Sequence, residues 1–235
     1  MHDIEYLKKL KKSPKLQELE WYQCKADPYY WLTNWATTIN EHYEDWIEPI
    51  QTFPDKEYIR VLVDLWMKHK ILIITKTRQM MLSWLCVALY LWDTQFHKAR
   101  FTAFQSKQED DADELIKRLK GIWDREPSFL KRYYEKGKVI ELQANPQNRG
   151  WHTYGKFELP QIHSRIHGYA QWGDRLRMFT FSWVFSDEAA YQPEMDSAFT
   201  ALRPTLSNNG RFTAVSTPDE NTWFEDAVFD NFVMS

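Results

Sequence analysis

The sequence contains little cysteine and little glycine. Only Cys24 and Cys86 occur among the 235 residues, and two thiols so far apart make neither a disulfide framework nor a metal site. The first of the seven glycines is Gly121, so a phosphate-binding loop in the first half of the chain has to work without glycine. These shortages exclude a small disulfide-stapled scaffold and a standard glycine-rich loop near the N-terminus.

Long apolar runs and an excess of one charge are also missing. No apolar stretch reaches the roughly 18 residues that a membrane-spanning helix needs, and the polar N-terminus lacks the apolar centre of a secretory signal. The net charge of −3 excludes a globally basic nucleic-acid coat but permits a local basic track. Residues 117–138, rich in Lys and Arg, fit such a track along DNA phosphates and fit a solvated helix surface equally well. We expect a soluble protein from a reducing compartment.

The composition favours a large core that is rich in aromatic side chains. Apolar residues make up 43% of the chain and aromatic residues 16%, which excludes disorder. Aromatic residues are dense over residues 14–60, where prolines divide the segment into short helices and loops. Leu32, Trp35 and Ile39 are spaced for a helix with one buried face. We therefore expect an aromatic-rich helical lead-in over residues 1–60 and a separate core over residues 61–235.

Apolar strand candidates alternate with helix candidates after residue 60. The predicted strands are 71–74, 99–104, 179–185 and 212–215, and the predicted helices of the whole chain are 4–12, 55–68, 81–92 and 111–124. This alternation predicts an α/β fold with a mostly parallel sheet flanked by helices. Ligands bind such sheets at the carboxyl ends of the strands, so the residues that follow each apolar run are the candidate functional residues.

The first predicted strand is followed by a polar loop and a long apolar helix. A standard P-loop has the pattern G-x-x-x-x-G-K-[ST] at such a junction. Aligned on Ser83, this segment has Lys76 at the first glycine, Met81 at the second and Leu82 at the lysine. It keeps a helix N-terminus for phosphate charge, a hydroxyl for Mg²⁺ and two cations, Lys76 and Arg78. A phosphate-binding loop and an ordinary strand–turn–helix edge with solvated charges both fit this segment.

Two later predicted strands are also followed by polar residues that could bind a metal ion, a phosphate or water. The strand over 179–185 leads to Asp187 and Glu188. In nucleotide-hydrolysing sheets the first such acid holds Mg²⁺ and the second polarises the attacking water, whereas the ordinary alternative is a charged turn. The last strand leads to Ser216 and Thr217, whose hydroxyls either sense a phosphate or start a turn. Lys76 together with the two acids indicates a nucleotide-hydrolysing site more specifically than the loop or the acid pair does alone.

Taken in order, these segments resemble the ATPase half of the large terminase subunits of tailed bacteriophages, the motors that package viral genomes. The resemblance rests on K-x-R-Q…S at 76–83, V-F-S-D-E-A-A at 184–190 and V-S-T-P at 215–218. The upstream D-P-Y-Y-W-L-T-N-W-A-T-T-I at 27–39 and Phe53-Pro54 support it. The resemblance covers most of the chain, from about residue 27 to about residue 220.

The resemblance implies a RecA-like P-loop ATPase of the ASCE class that uses Mg²⁺ and ATP to drive double-stranded DNA into a procapsid. The ATP-binding residues would be those of a deviant Walker A loop: Lys76, Thr77, Arg78, Gln79, Met80, Met81, Leu82 and Ser83. Ser83 and the Walker B acid Asp187 match the Mg²⁺ ligands, and Glu188 matches the catalytic carboxylate. Ser216 and Thr217 match the motif that couples hydrolysis to DNA movement.

The resemblance further implies that an arginine completes the site of a neighbouring subunit in a homo-oligomeric ring. Family members often have an arginine–glycine element upstream of the acid pair, and the nearest match is the segment 164–168. Arg165 is therefore the candidate arginine finger, with Arg175 and Arg177 as rivals.

The implied partners are double-stranded DNA, a portal protein with its procapsid and a small terminase subunit, in the host cytoplasm and without a membrane. Large terminases also carry an RNase H-like nuclease domain, and we expect no nuclease activity of this chain, which ends at Ser235. Two other functions stay open. The glycine-free loop favours a nucleotide-binding or interaction module that no longer catalyses, and the acid pair also fits a helicase-like DNA-dependent ATPase.

Overall fold

The fold comes from a computed structural model, which describes residues 4–39, 48–77, 80–144, 155–170, 179–207 and 210–229. The helices are α1 Ile4–Lys12, α2 Pro14–Ala26, α3 Pro28–Asn34, α4 Glu57–Lys68, α5 Leu82–Phe96, α6 Glu109–Arg125, α7 Met195–Ser207 and α8 Trp223–Phe229. The strands are β1 Thr37–Ile39, β2 Ile50–Thr52, β3 Ile71–Thr75, β4 Phe101–Ser106, β5 Arg132–Glu135, β6 Lys138–Glu141, β7 Lys156–Leu159, β8 Ser164–Ala170, β9 Trp183–Asp187 and β10 Arg211–Ser216. Single 3₁₀ turns follow β7 and β9.

A mostly parallel sheet forms the centre of the molecule, as the alternation of strands and helices predicts. Its strand order is β3-β10-β9-β4-β8-β7, and within this sheet, as far as the structure describes it, only the β7–β8 pair is antiparallel. In the register of the sheet, Ser216 is paired with Thr75, and Val215 with Asp187. The carboxyl ends of β3, β10 and β9 therefore lie side by side.

Helices cover both faces of this sheet. The cluster on one face contains α5 and α6 together with the N-terminal helices, and the cluster on the other face contains α7 and α8. Helix α5 is buried along its whole length except for the half-exposed Trp84, which explains why its sequence is apolar on all sides. Helix α6 passes close to β8, where a Cβ at Gly168 would lie 3.3 Å from the carbonyl oxygen of Ala112. The glycine of the 164–168 segment thus allows close packing of α6 on β8, and a side chain there would press on the backbone of α6.

Capping residues fix the starts of two of the N-terminal helices. Ser13 caps α2 and Asp27 caps α3 through side-chain oxygens that accept backbone N–H groups, and a proline follows each cap. Trp21 and Trp31 are fully buried in the same cluster as α5, so these aromatic residues of the N-terminal segment form part of the hydrophobic core. Helix α4 runs continuously across residue 60, and the division of the chain there stays a prediction.

The structure corrects two of the predicted elements and adds strands that were not predicted. The helix that the Leu32, Trp35 and Ile39 spacing predicts ends at Asn34, and the β-branched residues after it form β1, which pairs with β2. The strand predicted over 179–185 begins only at Trp183. Strands β7 and β8 were not predicted, because polar residues and Gly168 interrupt the apolar pattern of the segment that forms β8. In the part of the chain that the structure describes, no helix is long and apolar enough to cross a membrane.

Candidate functional site

A cleft of about 540 Å³ lies at the carboxyl edge of the sheet, between the start of α5, the end of β9 and helix α6. Its polar lining residues come from five segments of the chain: Lys76, Ser83, Ser106, Lys107, Asp111, Glu114, Arg118, Asp187, Glu188, Tyr191 and Thr217. Four of the predicted site residues, Lys76, Ser83, Asp187 and Glu188, meet in this cleft although more than 100 residues separate the loop from the acids.

Lys76 lies at the centre of this group. Its backbone N–H donates to the carbonyl of Ser216, 2.9 Å away, which continues the β3–β10 ladder beyond the end of β3. Its ammonium Nζ lies 2.9 Å from Glu188 Oε1 and 3.6 Å from Asp187 Oδ1, and it donates a 3.1 Å hydrogen bond to Ser83 Oγ. Burial lowers the pKa of Lys76, but the two carboxylates more than offset this, so the net pKa lies above its ordinary value. Lys76 therefore stays charged in the cleft.

Ser83 connects the first turn of α5 to the end of β9. Its hydroxyl donates a 2.8 Å hydrogen bond to Asp187 Oδ1 while it accepts from Lys76. Burial raises the pKa of Asp187, and the Lys76 ammonium and the Ser83 hydroxyl oppose that rise. The result is a buried carboxylate and a hydroxyl held together, which are two oxygen ligands of the kind that Mg²⁺ prefers.

The two adjacent acids lie in different environments. The side chain of Asp187 is 10% exposed, whereas that of Glu188 is 40% exposed. Glu188 has a φ of 52°, in the left-handed region, so the chain turns sharply directly after β9. One carboxylate is therefore enclosed and the other reaches the open part of the cleft, as two different roles for neighbouring acids require.

Met81 adopts the backbone conformation of the glycine with which it is aligned. Its φ is 54°, in the left-handed region that glycine favours, and it forms the N-terminal cap of α5. The carbonyl of Met81 accepts from the N–H of Leu85, the first bond of the helix. A non-glycine residue in this region costs of order 1 kcal/mol or more. Met81 thus has a left-handed backbone conformation at the position of the second glycine of the P-loop pattern.

The remaining loop residues divide into exposed, packed and undescribed positions. Thr77 is exposed, whereas Met80 and Leu82 pack against the core cluster on the α5 face. Arg78 and Gln79 lie outside the described residues.

The predicted coupling residues lie at the end of β10, beside the cleft. Ser216 is fully buried, and its Oγ has no hydrogen-bond partner among the residues described. The hydroxyl of Thr217 lies 3.0 Å from that of Tyr191, and both side chains line the cleft. The hydroxyl of Thr217 therefore connects the end of β10 to the 3₁₀ turn after the acid pair.

Arg165 does not lie in this cleft. It is the second residue of β8 and is paired with Phe101 at the beginning of β4, so it lies at the opposite edge of the sheet. Its guanidinium is exposed and lies 4.0 Å from the centroid of the Phe101 ring. A role for Arg165 in the site of its own chain is excluded by this position. The rivals Arg175 and Arg177 lie outside the described residues.

Sequence reasoning missed two buried glutamines that hold the acid pair. Gln192 donates to the carbonyl of Asp187, 2.8 Å away, and to the hydroxyl of Ser186, 2.9 Å away. Its own side-chain oxygen accepts from Gln105, at 2.8 Å. A glutamine near the end of the otherwise apolar strand β4 is the signal that could have indicated this network.

Sequence reasoning also missed the cleft wall that α6 forms. Arg118 lies there with its guanidinium carbon 5.4 Å from the centroid of the Trp84 ring and its Nε 3.6 Å from Glu114 Oε1. The sequence shows only that Arg118 belongs to a basic stretch.

The donor set fits a magnesium ion better than a structural metal. Across the described ranges, no group of three or more His, Cys, Asp and Glu side chains could hold a metal ion. Mg²⁺ keeps several of its water ligands and often takes only one or two from the protein, with substrate phosphates supplying others. Ser83 Oγ and Asp187 Oδ1 fit that requirement.

Comparisons with known proteins identify the fold. No protein-family model matches the sequence, and no curated protein is significantly similar to it. A variant of the large terminase ATPase domain of Thermus phage P74-26 superposes with a TM-score of 0.52 and 16% identity, over 74% of this chain and 69% of that chain. The HK97 bacteriophage large terminase superposes with a TM-score of 0.58 and 10% identity, over 87% of this chain and 41% of that chain. The chain thus has the RecA-like fold of a large terminase ATPase domain, as the sequence resemblance predicted, and spans about two fifths of the HK97 protein.

Proposed function

We propose that this chain is the ATPase motor domain of a viral DNA-packaging terminase, which couples Mg²⁺-dependent ATP hydrolysis to translocation of double-stranded DNA into a procapsid. The observation that carries the proposal is the meeting of Lys76, Ser83, Asp187 and Glu188 in one cleft. This cleft lies at the carboxyl edge of a sheet with the fold of terminase ATPase domains, and that edge is where such sheets bind ligands.

The phosphates of ATP would lie between the loop 76–83 and the acid pair. Lys76, with Arg78, neutralises charge on the β- and γ-phosphates, and the N-terminus of α5 adds favourable backbone dipoles. Ser83 and Asp187 would hold Mg²⁺, which supplies charge neutralisation at the β- and γ-phosphate oxygens when bound. Because the hydroxyl and carboxylate are already in contact, little rearrangement is needed to present both to the ion.

Glu188 is the residue that we assign to the attacking water. Its exposed carboxylate takes a proton from the water, whose oxygen attacks the γ-phosphorus while the bond to the β–γ bridging oxygen breaks, which yields inorganic phosphate and ADP. In the structure, Glu188 is paired with Lys76 at 2.9 Å. When Lys76 turns to the phosphates, Glu188 becomes free to bind water, so nucleotide binding itself prepares the catalytic carboxylate.

The proposed motor is a homo-oligomeric ring. Arg165, or Arg175 or Arg177, reaches from one subunit to the site of the next and stabilises the transition state. Ser216 and Thr217 pass the loss of phosphate on to the elements that grip DNA. The portal protein, procapsid and small terminase subunit are the proposed partners, and the basic stretch 117–138 is available for DNA phosphates.

Hydrolysis of Mg²⁺–ATP, measured with and without double-stranded DNA, tests this proposal against its alternatives. We expect slow hydrolysis by the isolated chain, stimulation by duplex DNA, and no separation of the strands of a labelled duplex. Strand separation would instead assign a helicase-like ATPase. If the folded chain neither bound nor hydrolysed millimolar ATP, it would be a module without motor activity.

A further inference from the structure

The wall of the cleft opposite the loop 76–83 carries a cation that no role described above uses. Arg118 lies on α6, and its side chain is 26% exposed. Its Nε is buried and has no hydrogen-bond partner within the described part of the chain. The nearest carboxylate oxygen to this Nε is on Glu114, at 3.6 Å, which is beyond hydrogen-bond distance. A buried donor without an acceptor is rare and points to a missing ligand.

The guanidinium of Arg118 is held in place by its neighbours. It lies over the ring of Trp84, 5.4 Å from the centroid, and Trp84 directly follows Ser83 in α5. Glu114 lies one turn earlier on α6, and the ion contact with its carboxylate restricts the position of the guanidinium. A planar cation restrained in this way is suited to a phosphate group, because little side-chain entropy is lost on binding.

The charge distribution of the cleft favours an anion at Arg118. Lys76 is shared between Asp187 and Glu188, so its charge is already balanced when the nucleotide is absent. Among the described residues, Arg118 forms one ion contact, with the half-exposed Glu114, and its charge acts on Asp187 only as the smallest of the influences on that carboxyl. A polyphosphate that enters the cleft therefore gains more from Arg118 than from Lys76, which is already paired with two carboxylates.

We infer that Arg118 binds the terminal phosphate of ATP within its own subunit and so distinguishes ATP from ADP. This inference rests on the proposed function. The strand order is β3, β10, β9, β4, and α6 follows β4. A triphosphate that starts at the loop after β3 and reaches Glu188 after β9 directs its terminal phosphate towards β4 and α6. Arg118 is the arginine that lines the cleft on that side.

The experiment compares the affinities of a non-hydrolysable β,γ-imido ATP and of ADP, each with Mg²⁺, by calorimetry. Arg118→Gln removes the charge but keeps much of the stem that packs on Trp84. We expect it to weaken binding of the ATP analogue by about tenfold to a hundredfold, the range for loss of a charge-assisted hydrogen bond, and binding of ADP by less than about threefold. Arg118→Lys should recover part of the lost affinity.

Lys117→Ala provides the matched control. It removes one positive charge from the neighbouring position of α6, and Lys117 also contacts Glu114, at 3.7 Å, but it does not line the cleft. We expect it to change neither affinity by more than about twofold. Thermal unfolding of each variant establishes that it is folded.

The outcomes separate this inference from the proposed function. If wild-type protein binds both nucleotides and Arg118→Gln leaves the ratio of the two affinities unchanged, Arg118 does not contact the terminal phosphate, and the ATPase assignment is untouched. An equal loss for both nucleotides would show a structural role for Arg118 and would also overturn the inference. If wild-type protein binds neither nucleotide, the proposed function fails and this inference fails with it.

Discussion

The hydroxyl of Ser83 donates a 2.8 Å hydrogen bond to the carboxylate of Asp187, and so joins the first turn of α5 to the last residue of β9. The two residues are 104 positions apart in the sequence. Only the folding of the sheet brings them together, and the same contact places Lys76 between the two acids. The following predictions test what this arrangement does.

Removal of Lys76 should abolish tight nucleotide binding and destabilise the fold. Lys76→Ala leaves the buried Asp187 without its cation, which we expect to cost about 2–4 kcal/mol in free energy of unfolding at neutral pH. The loss should shrink as the pH falls, since burial has already raised the pKa of Asp187 and a neutral carboxyl needs no counter-ion. Calorimetry with Mg²⁺–ATP and urea unfolding measure the two effects.

Lys70→Ala is the control for that variant, because Lys70 is exposed and precedes the opposite end of the same strand. Nucleotide binding by Lys76→Ala equal to that of Lys70→Ala would contradict the proposed role of Lys76.

Replacement of Glu188 should separate hydrolysis from binding. Glu188→Gln keeps the shape of the side chain but removes the charge that holds Lys76, so we expect ATP to bind at least as tightly as to wild type. The hydrolysis rate should fall by at least about a hundredfold, because the amide cannot serve as the base for water. Steady-state release of phosphate and equilibrium binding of ATP are the measurements. Glu194→Gln, an exposed carboxyl in the same segment, should leave both unchanged. An unchanged turnover of Glu188→Gln would remove Glu188 from the mechanism.

Arg165 should act between subunits, since it lies at the edge of the sheet away from its own cleft. Arg165→Ala and Glu188→Gln should each be inactive in rings assembled on portal protein and DNA. Rings assembled from a mixture of the two variants should regain part of the ATPase rate. In such rings some sites combine the intact Glu188 of one subunit with the intact Arg165 of the neighbouring subunit. Full activity of Arg165→Ala alone would transfer the role to Arg175 or Arg177.

Glu126 should make the stability of the fold depend on pH. Its carboxylate is buried and accepts from the indole of Trp31, at 2.7 Å, and from the amide of Gln95, at 3.1 Å. Burial raises the pKa of Glu126 to about 7, although both hydrogen bonds oppose the rise. The folded protein therefore keeps this proton at pH values where the unfolded chain, with a pKa of 4.5, has lost it. The stabilising contribution is complete below pH 4.5 and is lost as the pH rises through about 7.

Glu126→Gln tests this dependence by urea unfolding at several pH values. As the pH rises from acid to mildly alkaline, wild type should lose stability that the variant keeps, since the amide of the variant carries no charge to bury. The difference in free energy of unfolding between the two should therefore shift by on the order of 3 kcal/mol in favour of the variant. Glu48→Gln, at an exposed position, should show no such trend. A difference between variant and wild type that stays constant with pH would mean that the pKa of Glu126 is the same in the folded and the unfolded protein.

The local chemistry of the chain predicted the parts of the site that lie directly after apolar strands. Lys76 and Asp187 were recognisable because strands β3 and β9 end next to them and because charged residues at such ends are typical of ligand-binding sheets. Gln192 and Arg118 were not recognisable as site residues. Gln192 follows a 3₁₀ turn and bonds to the backbone of Asp187, whereas Arg118 lines the cleft from the middle of α6. Nothing in the spacing of those segments indicates these directions.

The amino-acid sequence by itself determined that an aromatic core surrounds a mostly parallel α/β sheet and that cations and acids follow particular strands, because hydrophobic periodicity and composition act over a few residues. The tertiary structure alone decided the strand order, the position of Arg165 at the beginning of β8 and away from the cleft, and the presence of Arg118 in the same cleft as Lys76. Pairing between distant strands depends on which packed faces exclude most water, and that is a property of the whole chain rather than of any segment.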